Sequence, residues 1–514
     1  MAKFLLAVDV GTSGTRTTLF DFTGQVHGNY VYEYETTYPV AGGAEHDVRE
    51  WWRAVCKGVS YFKNELCLSV EEIAAVGVDG LSWAALPVDK KGQPLRRAMI
   101  WLDRRAEKQA DWIKDTAGEK IEQISGNPID AAYITPKMLW IKENEPHIYE
   151  KTHKFLQSNG YIVYRLTGEF SLDYSQGYGF HFFNIKQGEW SGDTAARLNL
   201  SLEKLPPFYE CHQVVGSVTN RAARETGLPE GTPVVAGGLD AACCTLGAGV
   251  IKSGMTQEQG GQAGGMSIQL SEPVTSPRLI LGYHVIPDHW LLQGGTVGGG
   301  GTLNWFRKEL GSREKRLAEK QGGNAYQIMD REAAEIPPGS DGLIFLPYMA
   351  GERSPIWDSK ARGVFFGLSY DKTRAHMIRA MMEGVGFSLL HNLETAQNSG
   401  VEIKELNSVG GASGSEVWTG MKSDITGKRI NVPQTDQATA LGTAILAGVG
   451  TGIYDSFSEA VNQMIKIEKT YGPDEKRHRI YQKYYSLYRE LYEKLKDSYE
   501  RLYSISKIAE NAFD

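Results

Sequence analysis

Phe4-Leu5-Leu6-Ala7-Val8-Asp9-Val10-Gly11-Thr12-Ser13-Gly14-Thr15-Arg16-Thr17-Thr18-Leu19-Phe20-Asp21 is the stretch from which the rest of the chain can be read. Two apolar runs of strand-forming residues flank a short polar turn, the pattern of a β-hairpin. Gly11 and Gly14 permit backbone angles closed to other residues and let the chain come close to a ligand. Successive N–H groups in such a turn form a small anion-binding concavity, which the Thr12 and Ser13 hydroxyls deepen and Arg16 neutralises. Asp9, near the end of the first run, suits Mg2+, a hard cation that keeps waters and shares substrate phosphates with one or two carboxylates. The hairpin is therefore expected to hold phosphate. From these residues alone, a plain Gly-rich turn with a solvated Asp and Arg is the alternative.

The chain of 514 residues is too long for one core, so two large lobes or three smaller domains are expected. Its 41% hydrophobic and 23% charged residues are ordinary for a soluble globular protein, while 58 glycines exceed the usual share of roughly 7% and imply many tight backbone approaches. A net charge of -7 and a pI near 6.0 argue against nucleic-acid or anionic-membrane partners, which demand a basic field. Any phosphate site must then be local. The five cysteines, Cys56, Cys67, Cys211, Cys243 and Cys244, have neither disulfide-framework nor zinc spacing, which fits reduced thiols and a cytoplasmic location. Asp9 interrupts the N-terminal apolar run, and no later run reaches about 18 apolar residues, so neither a signal peptide nor a membrane span is expected.

Outward from the hairpin, Gln25 to Thr37 continues as strand, and Asp47 caps a helix with Trp51, Trp52, Val55, Val59 and Phe62 on one face. Ile73 to Val78 reads as a buried strand leading into Asp79-Gly80-Leu81-Ser82-Trp83, and a further apolar run ends at Trp101-Leu102-Asp103-Arg104-Arg105. Polar residues at strand ends are where open α/β sheets place ligands. A second half is expected to open at Gly231, with the strand Val234 to Ala236 and then Gly237-Gly238-Leu239-Asp240, followed by a Gly-rich hairpin over Thr256 to Leu270. From Asp474 the chain is one amphipathic helix with Tyr481, Tyr484, Tyr488, Leu491, Leu495 and Leu502 along a stripe, read as core packing, with a homodimer contact as the alternative.

Asp240 follows a strand and two glycines and precedes the small residues Ala241 and Ala242, which leave room for a ligand beside its carboxylate. It is a candidate general base, or else a turn residue capping the next helix. Gly410-Gly411-Ala412-Ser413-Gly414-Ser415 follows the strand Leu406 to Val409 and opens a helix, an arrangement that offers helix N-terminal amides to a phosphate or nucleotide. Gly298 to Gly301 before Asn304 is a similar run, and Trp83 is either a sugar-stacking platform or a core tryptophan. No Walker-type loop, GxGxxG turn, nucleophile elbow or metal-ligand spacing accompanies these residues.

Together they resemble the FGGY carbohydrate kinases, a branch of the actin, hexokinase and Hsp70 superfamily, over nearly the whole chain. The tightest match is Gly363-Val364-Phe365-Phe366-Gly367-Leu368, then seven residues, then His376-Met377-Ile378-Arg379-Ala380-Met381-Met382-Glu383, which is similar to the family's second signature. Leu346 to Pro355, Lys137-Met138-Leu139-Trp140 and Leu166-Thr167-Gly168-Glu169 are similar to further family stretches. The resemblance implies that Asp9, Gly11, Thr12, Ser13 and Arg16 form the first phosphate motif, with Mg2+ held by Asp9 through water, and that Asp240 is the base. It implies Gly264 and Gly265 in a second phosphate hairpin, and Gly300, Asn304, Gly410, Gly411 and Ser415 around ATP. Trp101-Leu102-Asp103-Arg104-Arg105 has the pattern of the pentulose and gluconate branches, which puts Asp103 and Trp83 by the sugar. The chain departs from xylulose kinases at Trp83, usually His, and at Ala241, usually Asn. It departs from the family where Gln262-Ala263-Gly264-Gly265 replaces a Gly-Thr-Ser turn, and in its adenosine loop.

The fold expected is α/β, two actin-like (ribonuclease H-like) lobes around a central cleft. Residues 1–245 would form the sugar-binding lobe, 246–455 the nucleotide lobe and 456–514 a helical extension. The function expected is ATP- and Mg2+-dependent phosphorylation of a small sugar or polyol, a ketopentose foremost, by a cytoplasmic protein. A catalytically degenerate sugar- or nucleotide-binding regulator is the alternative.

Overall fold

The computed structural model describes residues 2–513. Its contacts divide the chain into two compact units that interleave in sequence. The first comprises Met1–Ser253, Gln269–Leu292 and Gln437–Lys466, and the second Gly254–Ile268, Gln293–Asp436 and Ile467–Asp514. The consecutive segments read from the sequence are not how these contacts divide.

In the first unit, β1 (Phe4–Val10) and β2 (Gly14–Asp21) form the expected hairpin, and β3 (Val26–Glu33) extends it antiparallel. On the other side β1 pairs in parallel with β4 (Ile73–Gly80), which explains why both strands are almost wholly apolar: a parallel strand covered on both faces has no wet side. The sheet continues through β5 (Val214–Ser217) and β6 (Pro233–Val235), with β7 (Gly238–Leu239) also pairing with β4, in the order β5-β6-β4-β1-β2-β3. The Val234–Asp240 stretch thus belongs to the first unit's sheet and does not open a second half. Asp47 caps the helix Val48–Asn64 as read, accepting from the Arg49 amide, and the helix buries Trp51, Trp52, Val55, Val59 and Phe62.

The second unit repeats the scheme from Met255. There β8 (Met255–Gly260) and β9 (Gly264–Leu270) make an antiparallel hairpin, and β10 (Glu405–Val409) pairs with β8 in parallel. Beyond it lie β11 (Ile430–Pro433) and the antiparallel edge strand β12 (Ile467–Tyr471). The helix Arg374–Asn398, which carries the signature residues from His376 to Glu383, is buried along most of its length. Against this core packs the helix Glu475–Phe513. Arg379 Nη2 donates to the Tyr481 hydroxyl at 2.8 Å, that hydroxyl donates to Glu383 Oε1 at 3.0 Å, and the Tyr348 and Tyr488 hydroxyls bond at 2.9 Å. The tyrosine stripe is therefore core packing, and it includes Tyr485, Tyr492 and Tyr499 as well, whereas Leu502 is 50% exposed and lies off it. Among the described residues no helix is long and apolar enough to cross a membrane.

In the first unit the helices Asp240–Gly247 and Ala438–Gly450 cross at two glycines. A Cβ on Gly442 would lie 1.9 Å from the Cys243 carbonyl oxygen, and one on Gly247 would lie 1.8 Å from that of Ala438. Gly442→Ala is expected to destabilise the protein by about 2–3 kcal/mol in chemical denaturation, since backbone cannot yield as a side chain can. Gly118→Ala, on the helix Glu107–Ser125 where a Cβ meets nothing within 4 Å, should instead stabilise it by up to about 1 kcal/mol.

Candidate active site

The parallel pairing of β1 and β4 sets Asp9 beside Asp79 at the C-terminal ends of both strands. Asp79 is completely buried and accepts a 2.5 Å hydrogen bond from Thr443 Oγ1. Its other oxygen has only the Asp9 carboxylate for company, a contact that two anions cannot share. Burial, then the Asp9 charge, raise Asp79 well above the ordinary carboxylate range, which favours its neutral form beside Asp9. Asp9 is itself raised by burial, with the Asp79 bond and the Arg16 charge pulling the other way. Arg16 lies directly across the hairpin from Asp9.

The turn itself is held by Gly11 N–H donating to the Gly14 carbonyl at 3.0 Å and by the Tyr34 hydroxyl donating to the Gly11 carbonyl at 2.7 Å. Neither glycine adopts a positive φ. Gly14 is needed for close approach, because a Cβ there would lie 2.7 Å from the Tyr32 carbonyl oxygen of β3. Ser13 is exposed and Thr12 half-buried, with Thr12 Oγ1 accepting from the Trp101 indole at 3.0 Å.

Asp240 starts its helix as the first residue after β7. It is reached through Gly237, whose φ of +74° and contact with the Val78 carbonyl oxygen, 1.6 Å from a built Cβ, admit only glycine. A buried chain of polar groups steadies the same turn. Ser175 Oγ accepts from the Leu239 amide at 2.8 Å and donates to Asp173 Oδ1 at 2.5 Å, while Asn159 Nδ2 donates to Asp173 Oδ2 at 2.8 Å. Asp240 Oδ1 accepts from the Ala241 amide at 2.7 Å. Burial, reinforced by the Asp9 charge, pushes the Asp240 carboxyl up to about 7.

Trp83 is half-buried, with its indole stacked on Tyr133 at 4.1 Å and edge-on to Tyr178 at 6.0 Å. Burial, and after it the Asp240 charge, raise the Tyr178 hydroxyl, so Tyr178 links the Trp83 turn to Asp240. Lys137 Nζ donates to the Trp83 and Ile100 carbonyls, and burial pushes its ammonium down to about 7. Asp103 has a structural task of its own. Its carboxylate is completely buried and accepts from the Ala44 amide at 2.8 Å and from Arg105 Nη2 and Nε at 2.7 and 3.0 Å, so it holds the turn after Trp101.

The second unit holds a cavity of about 560 Å³ lined by Gly261, Gly300, Gly301, Asn304, Gly411 and Ser415, together with Tyr326 and Asp330 of the helix Ala325–Ala334. A Cβ on Gly411 or Gly414 would meet nothing within 4 Å, which leaves a bare wall against which a flat base can lie. Gly410 does not line the cavity; its φ of +92° makes the turn, and a Cβ there would crowd the Gly260 carbonyl at 3.1 Å. Gly264 and Gly265 also lie off the lining, packed against residues 294–299. Ser415 Oγ accepts from the Trp418 amide at 3.1 Å and caps the helix Glu416–Thr426. Asn304 Oδ1 accepts from Arg307 and Tyr326, which turns its amide nitrogen to the remaining space. The first amides of the helix Gly300–Glu309 are already used: Gly300 and Gly301 donate to the Gly261 and Gln262 carbonyls at 2.7 and 2.9 Å. Tyr326 and Asp330 escaped the sequence reading, although Asn324 and Gln327 spell the capping box that starts their helix.

Residues 4–247 match the N-terminal domain, and residues 263–451 the C-terminal domain, of the FGGY family of carbohydrate kinases. The xylulose kinase of Bacillus subtilis (strain 168) is 31% identical over 490 residues, covering 93% of this chain and 95% of its own. An autoinducer-2 kinase of Escherichia coli O139:H28 is 29% identical over 493 residues, with coverages of 93% and 92%. The crystal structure of gluconate kinase from Lactobacillus acidophilus superposes with a TM-score of 0.88 at 26% identity, over 98% of this chain and all of that one.

An aspartate held near 7 in the folded state but near 3.9 when unfolded binds more protons folded than unfolded between those values. Its contribution is therefore lost as pH rises through that window. Asp240→Asn, neutral at every pH, is expected to be more stable than the parent at pH 8, by something on the order of a few kcal/mol, with the difference shrinking toward pH 5. Thermal unfolding of both proteins across that range checks it, and a gap independent of pH would refute it.

Proposed function

The chain belongs to the FGGY family of carbohydrate kinases, and on that premise we propose that it transfers the γ-phosphate of ATP to a hydroxyl of a small sugar, a ketopentose such as xylulose foremost, with Asp240 as general base. The observation that carries this reading is the Asp240 carboxyl, pushed up to about 7 beside Asp9 and the phosphate-type hairpin. A general base works best when its pKa lies near the working pH.

With Oδ1 engaged by the Ala241 amide, Oδ2 is left to take the proton of the sugar hydroxyl. As that O–H bond breaks, the oxygen bonds to the γ-phosphorus and the bond from phosphorus to the departing ADP oxygen breaks. Such transfer asks mainly for alignment and charge neutralisation. Arg16 and the Thr12 and Ser13 hydroxyls serve the phosphates, and the Trp83 face takes the C–H side of the sugar. Asp9 is the residue that would hold Mg2+: it is a carboxylate at the end of β1 beside the hairpin turn, and such an ion takes one or two carboxylates with waters and phosphate oxygens. Mg2+, when bound, supplies charge neutralisation on the phosphates. The second unit's cavity accepts the nucleoside on the Gly411–Gly414 wall, with Asn304 and Asp330 as polar contacts.

The named activities of the relatives span a ketopentose, an aldonate and autoinducer-2, and Trp83 and Ala241 remove two polar groups that xylulose kinases usually carry. One observation favours a second reading, a member that binds without turnover. The leading amides of the helix Gly300–Glu309 are spent on hairpin carbonyls and are not available to a phosphate.

ADP release measured over pentuloses, hexuloses, polyols and aldonates separates the two readings. Stimulation by a sugar is the expected result, and none with any of them favours the binding protein. Asp240→Asn should lower the stimulated rate by about 10²-fold or more and leave nucleotide affinity within about twofold. Because the base must be ionised, kcat/KM should rise about tenfold per pH unit below 7 and level off above it; a flat profile from about pH 5.5 to 8 would sink the assignment.

A further inference from the structure

Two unfavourable features of the first unit meet at one carbonyl oxygen. Lys137, on the helix Ile134–Asn144, is completely buried, and its nitrogen donates to the Trp83 carbonyl at 2.9 Å and the Ile100 carbonyl at 2.7 Å. Among the described residues no carboxylate pairs with it. An ammonium taken from water with only the more distant charges of Asp103 and Asp130 to favour it is costly, and lysine is among the residues least often fully buried. Trp83 has a φ of +57°, in the left-handed region that a bulky side chain avoids. Core packing requires neither feature. A methionine fills a lysine-sized space without a charge, and a glycine takes a left-handed turn without strain.

The Ile100 carbonyl also accepts from the Asp103 amide at 3.0 Å, closing the turn that carries Trp101. The Trp101 indole in turn donates to Thr12 Oγ1 at 3.0 Å. One nitrogen thus ties together the Trp83 turn, the Trp101 turn and, through the indole, the phosphate hairpin. Tyr133, from the residue just before the same helix, backs the Trp83 ring at 4.1 Å, so ring and carbonyl are held from one element.

We propose that Lys137 is a positioning residue of the substrate subsite, a clamp on the Trp83 and Ile100 carbonyls that fixes the Trp83 indole as a rigid platform for the C–H face of a small polyhydroxylated substrate. The proposal deepens the functional reading above and rests on it for the identity of the subsite; the clamp itself is measurable without any substrate.

Backbone amide exchange in Lys137→Met and Lys137→Gln tests it. In Lys137→Met, which keeps the volume and loses the donors, exchange over residues 81–84 and 100–103 is expected to rise at least about tenfold, while residues 4–10 of the same sheet stay within about twofold of the parent. Lys137→Gln, which keeps one N–H group within reach of a carbonyl, should show a smaller rise confined to the same turns, and it decides the matter alone if the methionine variant does not fold. Exchange at both turns within twofold of the parent, or a rise spread equally over residues 4–10, overturns the clamp. With D-xylulose as the probe, KM for the sugar should rise at least about tenfold and KM for ATP should stay within about twofold; a fall in kcat alone overturns the assignment to the substrate subsite. Should the parent not turn over D-xylulose, the exchange data still test the clamp, and the ketopentose reading is what fails.

Discussion

The enforced closeness of two buried carboxylates, Asp9 and Asp79, is the constraint on which the first unit depends. Parallel pairing of β1 and β4 leaves these two carboxylates no choice but to lie side by side, and both are raised by burial. Two buried anions in contact would drive the strand ends apart. Burial and the Asp9 charge favour a neutral Asp79, and the bond from Thr443 holds its other oxygen, so the two strand ends stay together where the hairpin begins. Asp9 is held there directly across the hairpin from Arg16. The Asp9 charge is felt at Asp240, where it adds to burial in holding that carboxyl near 7. The phosphate-type hairpin and the candidate base are thus electrostatically one site.

Position follows from close backbone contact rather than from long side chains. Gly237 lets the chain pass under the Val78 carbonyl, and Gly247 and Gly442 let two helices touch, so that Asp240 starts its helix at a point that neighbouring backbone defines. The Ser175–Asp173–Asn159 chain then satisfies the amide just before it. In the second unit Gly264, Gly299, Gly300 and Gly301 bring hairpin and helix into backbone contact, and Gly410 brings the Gly411–Gly414 loop against Gly260. The high glycine content is a record of these approaches, and it explains why the nucleotide-sized cavity has a side-chain-free wall.

Much of this was legible beforehand. The alternation of apolar runs with Gly-rich turns located β1, β2 and β4 and both hairpins, because strand periodicity and turn chemistry are local properties. Asp47 announced its helix, and the residues from Gly363 to Glu383 identified the family. The structural task of Asp103 was not legible, because its carboxylate is engaged by Arg105 and by the Ala44 amide, a partner 59 residues away. Tyr178 passed unnoticed, and Asp79 and Lys137 were quoted only as members of their segments, for the converse reason. Each looks ordinary in its own segment and becomes unusual only through what surrounds it.

The amino-acid sequence by itself determined the elements and the two-hairpin plan, since these are set by periodicity, propensity and spacing along a few tens of residues, and its signature stretch carried the resemblance to the family. Only the tertiary structure decided that Val234 pairs beside β4, that residues 437–466 return to the first unit, and that Asp9, Asp79 and Asp240 are buried close enough for the Asp9 charge to raise the other two. Those outcomes turn on burial and on contacts between residues hundreds of positions apart, as with Asp79 and Thr443, and burial is a property that a residue acquires only from the folded chain around it.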